Sequence, residues 1–504
     1  MTIQMLNRLV GSQGAPRPLA ISQTIAIFAL AIIATGMPVL GHFADPLIGM
    51  AICLALGVAI AAFAAPILPI VLIFSYLFQN LFVSLASPGI VDLTEFKTIR
   101  GYNFVLTVAA WMILIGQYWV DRSSFDRRFR SVMNAVFASL VLIGCYFFIG
   151  ALDKPLNAAI YLRNVVTPFM LFQICALVAA RFQLTIASAF MIIAYAIMTY
   201  GYAELFFHRP LLDLLNGDAY LQLLNRDAHD SGVWVRAMQE TGWVVRSDLD
   251  TLEVDFLNTS LFGNFDIRIT RLLGPNFHPI SYAYALAILN LVAVTTGNRI
   301  YCVFSLPLLM VIGSKGALAV LILSMIGLVG SKLLGRWLLC SFIAVLAAYA
   351  VTGIVIGIEA ADYHVIGFMG SVRGFIENPF GHGLGSGGNF DSVQLDWQRS
   401  QHLGYTEIAV ESAIGVLLFQ MGIAAFVLLA AVAGIACRAW KLYLQSNNPL
   451  VGILALGALV VLVNGIFQEE ALFSPLALGM VLSFLGLLMG RRREQRFSGT
   501  KTTL

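Results

Sequence analysis

Long apolar runs follow one another along most of the chain, and short polar segments separate them. A run of about 17 to 25 apolar residues is long enough to cross the hydrocarbon core of a bilayer as a helix. The pattern therefore predicts an all-α polytopic membrane protein with about 14 transmembrane helices. The predicted spans cover residues 20–40, 46–63, 67–86, 102–120, 131–150, 157–180, 183–203, 278–297, 299–314, 316–330, 337–358, 407–436, 450–468 and 472–490.

Composition agrees with this pattern. Of 504 residues, 59% are hydrophobic and 11% are charged, whereas an ordinary soluble domain carries roughly 25% charged residues. The formal net charge is +3 and no basic cluster is interleaved with aromatic residues, so nucleic acid is not expected as a partner. The six cysteines all lie in or at the end of predicted helices without Cys-x-x-Cys spacing, which predicts neither a loop disulfide nor a metal site.

The basic residues of the short connections all fall on one side when both termini are cytoplasmic, as the positive-inside rule requires. These residues are Arg8, Arg17, Arg122, Arg127, Arg128, Arg130, Lys332, Arg336, Arg438, Lys441, Arg491, Arg492, Arg493 and Arg496. The same alternation places two long loops outside, and loops of that length are usually functional.

The spans and loops divide the chain into five segments. The N-terminal transmembrane helices occupy residues 1–204, and the first long outer loop occupies 205–277. Central transmembrane helices follow over 278–359, and the second long outer loop covers 360–406. The C-terminal transmembrane helices and a basic cytoplasmic tail make up 407–504.

Each long loop contains one local pattern of its own. In the first, leucines alternate with polar residues between Leu211 and Leu224, which predicts an amphipathic helix. That helix either lies on the membrane surface or packs against its own loop. In the second, the run GHGLGSGG over 381–388 forms either a turn or the floor of a pocket.

Charged residues inside or beside the spans are the strongest functional signal, because an ionisable group at membrane depth is costly and usually faces a cavity or a partner. Arg163 lies within a predicted span, and a structural ion pair is the alternative interpretation for it. Arg268, Arg271, Lys315 and Arg373 all fall at the outer side of the predicted membrane. Arginine forks of this kind bind phosphate groups well.

The segment from Arg373 onward resembles the O-antigen ligase and Wzy-type polymerase superfamily. It reads RGFIENPFGHGLGSGGNF and, further on, HLGYTEIAVESAIGVLLFQMGIA. The family pattern has an arginine, a glycine-rich turn, a His-Asn pair and, nine residues after the histidine, a glutamate. His402 and Glu411 keep that spacing, whereas Leu403 stands in place of the asparagine.

Two further segments are similar to motifs of the same superfamily. Arg271, Gly274 and the pair His278-Pro279 resemble an Arg-x-x-Gly-x-x-x-His-Pro motif. Ser314-Lys315-Gly316-Ala317 resembles a Ser-Arg-Gly-Ala motif, with lysine in place of arginine. Lysine lacks the planar fork with which arginine holds a phosphate in two hydrogen bonds.

The resemblance implies a GT-C-like, metal-independent, inverting glycosyltransferase without a cofactor, located in the bacterial inner membrane. Its substrate would be an undecaprenyl-diphosphate-linked oligosaccharide, used at the periplasmic face, and its partners the lipid bilayer and possible chain-length regulator and flippase proteins. Such a reaction needs a base for the acceptor hydroxyl and cations for the leaving diphosphate.

The predicted roles follow from these two needs. His402 is the expected general base because histidine titrates near neutral pH, and Glu411 is expected to orient it. His364 and His382 are expected to matter much less. The expected diphosphate ligands are Arg163, Arg271 and Lys315, with Arg268 and Arg373 as helpers.

Three functions remain open at this point. A polymerase of repeat units is favoured because the first outer loop is large enough to help hold a growing chain. The same motifs occur in a ligase that transfers the glycan to lipid A core. A transporter or flippase is the alternative of another class, although no repeated halves with broken helices are evident in the sequence.

Overall fold

The computed structural model describes residues 20–182, 184, 187–226, 230, 232, 252–256, 268–389 and 395–490. The predicted all-α fold class is confirmed, since helices dominate these residues and one two-stranded sheet accompanies them. Within the described chain, ten helical segments are long and apolar enough to cross a membrane, so the multi-pass architecture is confirmed as well. The basic termini that were used to orient the chain lie outside the described residues, as do parts of the first outer loop.

The chain divides into two compact units. Unit 1 comprises Met1–Leu114 and Phe182–Leu318, and unit 2 comprises Ile115–Arg181 and Ala319–Leu504. The helices up to residue 206 are α1 Ile21–Ala44, α2 Pro46–Phe63, α3 Leu68–Ala86, α4 Leu93–Ile99, α5 Tyr102–Val120, α6 Arg127–Ala151, α7 Pro155–Arg181 and α8 Ala187–Phe206.

The middle of the chain contains shorter helices and the sheet. Strands β1 and β2 pair in antiparallel fashion, with Val254 opposite Ile269. The elements are α9 His208–Leu214, α10 Gly217–Leu224, β1 Glu253–Asp255, β2 Arg268–Thr270, α11 Pro279–Thr296, α12 Arg299–Ile312 and α13 Lys315–Leu334.

The remaining elements all belong to unit 2. They are α14 Leu338–Glu359, α15 Tyr363–Glu377, α16 Trp397–Leu403, α17 Ala413–Met421, α18 Ala425–Ser446, α19 Pro449–Asn464, α20 Glu469–Phe473, a π-helical turn Pro475–Gly479 and α21 Met480–Gly490. Within this unit α7 packs along α21 and against α6, while α18 packs against α19.

Burial separates helices of the interior from helices that face the surroundings. In the most apolar part of α7, 83% of the residues are buried. In the most apolar part of the run Lys315–Glu359, only 11% are buried. The exposed surface of this second run is therefore itself apolar. Such a surface is stable where the solvent is lipid, which agrees with a membrane location.

Helix boundaries reflect local chemistry as well as hydropathy. The predicted span 46–63 coincides with α2, which has Pro46 at its first position and the Asp45 side chain accepting from the Leu47 N–H. The last turn of α11 ends at Gly297, whose φ of 79° is the left-handed conformation typical of a helix C-terminus. The predicted span 407–436, in contrast, begins too early, because helix starts only at Ala413.

The amphipathic stretch between Leu211 and Leu224 forms two short helices rather than one. Asn216, with a φ of 56°, separates α9 from α10. Its side chain donates to the carbonyl of Leu85, and the Ser84 hydroxyl donates to the carbonyl of Leu215. The stretch therefore packs against the end of α3, and the single helix that the sequence predicted is divided in two.

Candidate functional site

A histidine and a glutamate form an ion pair at the start of α15, in unit 2. The carboxylate of Glu411 lies 3.4 Å from Nδ1 of His364, and the two side chains are 26% and 24% exposed. This distance is long for a hydrogen bond but normal for an ion pair. The His364 N–H donates to the side chain of Asp362 at 2.9 Å, which caps α15 and fixes the backbone of the histidine.

The segment between α16 and Glu411 first follows α15 toward its C-terminal end and then turns back toward its N-terminal end. The ring of Trp397 lies 6.2 Å from that of Tyr363 at the start of α15, and the Arg373 guanidinium lies 4.6 Å from the ring centre of Tyr405 further along. The backbone then reverses, and the Thr406 N–H donates to the Ile366 carbonyl. The return segment therefore brings residue 411 back to the His364 end of α15.

The backbone of Glu411 is held in an unusual conformation. Its φ is 62°, a left-handed value that a residue with a side chain rarely adopts. The Glu411 N–H donates to Oδ1 of Asn389 at 3.0 Å. Left-handed residues other than glycine occur preferentially at functional sites, because the surrounding structure must hold them there.

A second carboxylate, Glu469, is buried beside this pair. The Tyr161 hydroxyl donates to it at 2.7 Å, and the Asn389 N–H donates at 3.4 Å. Only 4% of Glu469 is exposed. Asn389 thus contacts both carboxylate residues, through its backbone N–H to Glu469 and through its side chain to Glu411.

Burial and neighbouring charges shift the pKa values of Glu469 and His364. Burial raises the pKa of Glu469 to about 8, the hydrogen bond from Tyr161 opposes this, and the charges of Glu470 and Glu411 add to it. Burial lowers the pKa of His364, but Glu411, Asp362 and Glu470 raise it by more, so the net shift is upward.

The glycine-rich run lies against α6 and α7 rather than forming a free turn. Gly381, Gly383, Gly385, Gly387 and Gly388 all have positive φ values. A Cβ on Gly388 would collide with the hydroxyl of Tyr161, and one on Gly385 would collide with the backbone of Ala158. Glycine is required here by both conformation and close approach, and the run carries Asn389 to its position.

His382 within this run has a structural environment. Its ring stacks on Phe419 with a centroid separation of 4.1 Å, and its Nδ1 lies 3.0 Å from the Phe419 carbonyl oxygen. These contacts attach the glycine-rich run to α17. The expectation that His382 matters much less than His402 stays a prediction.

The structure pairs Glu411 with His364 and places Arg373 beside Leu403 and Tyr405, the residues that follow His402. His402 is exposed in the last turn of α16, and within the described residues no ion pair joins it to Glu411. Arg373 pairs with Glu377 at 2.8 Å and lies over Tyr405. The ion pair that Glu411 forms in this structure is with His364, and the expectation that Glu411 orients His402 stays a prediction.

Arg163 is half-buried in α7. Its Nε donates to the side chain of Asn164 at 3.2 Å, and its carbonyl accepts from the Thr167 hydroxyl at 2.6 Å. The arginine thus has polar neighbours on its own helix. Its role as a diphosphate ligand stays a prediction.

Unit 1 contains a separate group of anion-binding donors at the start of α13. Ser314 immediately precedes this helix, is 2% exposed, and its hydroxyl has no hydrogen-bond partner among the described residues. Arg271 is anchored close by, since its Nε donates to the Ile312 carbonyl at 3.0 Å. Lys315 is the first residue of the helix and is exposed.

The first turn of any α-helix has N–H groups without intrahelical partners, and it carries a partial positive charge. Together with Ser314, Lys315 and Arg271, this end of α13 can bind an anion such as a phosphate. Arg268 is exposed in β2, opposite Asp255.

A buried carboxylate supports the segment that carries Arg271. Glu204, at the end of α8, is fully buried and accepts from the Leu273 N–H at 2.7 Å and from the Gly274 N–H at 2.9 Å. A Cβ on Gly274 would collide with Tyr282, so glycine is needed at this turn. The Arg-x-x-Gly spacing noted in the sequence therefore corresponds to a fixed turn.

Sequence reasoning overlooked the roles of His364, Tyr161, Asn389 and Glu469. One signal was present: Glu469 and Glu470 stand in a very short connection between two apolar runs. Within the described residues, no group of three or more His, Cys, Asp or Glu side chains is arranged to hold a metal ion. The chain matches no protein-family model, no curated protein and no solved structure.

Proposed function

We propose that this protein is a membrane glycosyltransferase that transfers an oligosaccharide from a polyprenyl diphosphate to a sugar hydroxyl with inversion. The observation that carries the proposal is the pair formed by Glu411 and His364. A carboxylate that contacts one nitrogen of an imidazole fixes its tautomer and leaves the other nitrogen for proton transfer. Within the described residues, the His364 Nδ1 forms the ion pair with Glu411 and has no hydrogen-bond partner.

The proposed reaction balances without a nucleotide. Nε2 of His364 accepts the proton of the acceptor hydroxyl, and the acceptor oxygen forms a bond to the anomeric carbon. The bond from that carbon to the diphosphate oxygen breaks, and the lipid diphosphate leaves with the electron pair. Glu411 stabilises the imidazolium that forms, so the proposed base is His364 rather than His402.

The diphosphate needs cationic or N–H donors, because negative charge grows on it as it leaves. On their chemistry and on the sequence resemblance, the donors at the start of α13 are proposed as diphosphate ligands: the buried Ser314 hydroxyl, the Lys315 ammonium and the helix N-terminus. Arg271 adds a guanidinium that is already positioned by the Ile312 carbonyl. Arg163 is proposed as a further ligand, as the sequence resemblance implies.

We further propose fourteen membrane crossings in a GT-C-like arrangement in the bacterial inner membrane. The run Lys315–Glu359 has 45 residues, or about 67 Å of helix, which is about twice the hydrocarbon thickness. Counting that run as two crossings and adding the apolar helices Arg299–Ile312, Pro449–Asn464 and Pro475–Gly490 to the other nine spans gives fourteen.

Within this proposal, the acceptor is a second lipid-linked oligosaccharide, so the protein is a polymerase. The direct experiment supplies purified undecaprenyl-diphosphate-linked repeat units without nucleotide and without added metal. A ladder of longer lipid-linked products supports polymerisation. Products that appear only when lipid A core is added support the ligase instead.

A transporter is the second candidate, and one observation favours it. A buried carboxyl such as Glu469, with a pKa raised to about 8, suits a group that carries protons in a coupled transporter. Reconstituted vesicles separate the two functions. Movement of the lipid-linked substrate across the bilayer without any covalent product would favour transport and would contradict the glycosyltransferase.

A further inference from the structure

A cavity of about 760 Å³ opens in unit 2 where α6 begins and where α7, α18 and α21 end. The other end of α6 lies at the glycine-rich run, since the Leu384 N–H donates to the Tyr146 carbonyl. With 25 residues, α6 is about 37 Å long, enough to cross a bilayer. The cavity and the His364 region are therefore at opposite ends of a spanning helix.

Four cations line the cavity. Arg127 and Arg128 belong to the first turn of α6, and Arg438 and Lys441 belong to the last turns of α18. All four are exposed, and within the described residues none of them forms an ion pair with a carboxylate. The only acidic residue that lines the cavity within the described chain is Asp126. The rim therefore carries a clear excess of positive charge.

The wall below this rim is apolar. Phe125 and Phe129 stack with a centroid separation of 5.3 Å, and Val132, Phe172 and Met489 line the same space. A free anion would use only the rim, and a neutral lipid would use only the wall. A molecule with an anionic head and hydrocarbon chains matches both surfaces.

We propose that this cavity binds an anionic glycerophospholipid. Its phosphate lies between the arginines of α6 and the cations of α18, and its acyl chains lie against Phe125 and Phe129. The volume falls within the range of roughly 300–1,000 Å³ that is usual for ligand sites.

The test compares two lipids on delipidated protein by native mass spectrometry. Phosphatidylglycerol should bind at least tenfold more tightly than phosphatidylcholine. In the double variant Arg128→Glu/Arg438→Glu this preference should disappear. In the matched control Lys332→Glu/Arg336→Glu, which changes two exposed cations outside the cavity, the preference should persist.

Two further measurements complete the test. One distinguishes a lipid phosphate from free phosphate, and the other uses a milder variant in case the first one misfolds. Excess inorganic phosphate should fail to displace phosphatidylglycerol; complete displacement would mean a free-anion site and would overturn the proposal. If the charge-reversal variant does not accumulate, Arg128→Gln/Arg438→Gln replaces it, with binding measured at low and high salt. The proposal is contradicted if the two lipids bind equally well, or if the control variant loses the preference for phosphatidylglycerol as well. It is also contradicted if salt concentration has no effect on binding.

Discussion

The Glu411 carboxylate lies 3.4 Å from Nδ1 of His364, although 46 residues separate the two along the chain. The same Glu411 is nine residues from His402, with which it forms no ion pair within the described chain. The relationship identifies His364 as the histidine whose basicity a carboxylate raises. It also makes the proposed chemistry testable by pH.

The pH dependence of transfer should change when Glu411 is neutralised. A base acts in its neutral form, so the rate should rise with pH through the pKa of His364, which is raised in the unmodified protein. In Glu411→Gln the charge that raises this pKa is lost while burial still lowers it, so the rise should begin at lower pH. An unchanged pH profile, measured on product formation, would argue against the pair.

Substitutions at the start of α13 should weaken the binding of diphosphate. Lys315→Ala and Ser314→Ala should each raise the concentration of lipid-linked donor needed for half-maximal rate, because each removes one donor to the anion. The loss from a single charged hydrogen bond is about 1.5–3 kcal/mol, or roughly 10- to 150-fold. Arg268→Ala is the control, since Arg268 is exposed and belongs to β2 rather than to the start of α13, and an equal effect there would indicate non-specific electrostatics.

Two glycines with similar backbones should respond very differently to alanine. Gly388 has a φ of 82° and Gly404 a φ of 75°, but only a Cβ on Gly388 would meet other atoms, those of Tyr161. Gly404→Ala should cost only the left-handed strain of about 1–2 kcal/mol. Gly388→Ala should lower both accumulation in the membrane and transfer. Equal behaviour of the two variants would mean that the contact with α7 is unimportant.

Buried Glu469 should make the folded state less stable as pH rises. Its pKa is raised from 4.5 to about 8, so the folded state retains a proton that the unfolded state loses between these values. Stability should therefore fall as pH rises through this window, by at most about 1.4 kcal/mol per unit, and level off above it. Apparent melting temperatures should show this slope in the unmodified protein and in Glu470→Gln, but not in Glu469→Gln. A slope that survives Glu469→Gln contradicts the assignment.

The helices were largely predictable because lipid imposes a length and an apolar composition on each crossing. The span 46–63 coincides with α2 for this reason. The candidate site was not predictable in the same way. Its contacts depend on a chain reversal along α15, on the left-handed backbone of Glu411, and on a pair, Tyr161 and Glu469, that is 308 residues apart. The hydrophobic pattern along the chain predicts helices but does not predict contacts between distant residues.

The motif resemblance points to the segment that contains Glu411, and the structure gives this carboxylate a different histidine partner. Spacing in sequence suggested that His402 and Glu411 act together, because both belong to one short motif. The structure places Leu403 to Tyr405 beside Arg373, while Glu411 returns to His364. His364 and Arg373 are nine residues apart in α15, or about 13 Å along the helix axis.

The rate of glycosyl transfer by His364→Ala tests the central claim most directly. The assay uses purified undecaprenyl-diphosphate-linked repeat units, with His402→Ala measured in parallel and donor binding measured for both variants. General acid-base groups typically contribute about 10²–10⁴-fold in rate. His364→Ala should lose transfer by that factor while it still binds the lipid diphosphate, and His402→Ala should lose much less. Transfer by His364→Ala at the unmodified rate, or loss confined to His402→Ala, would contradict the account.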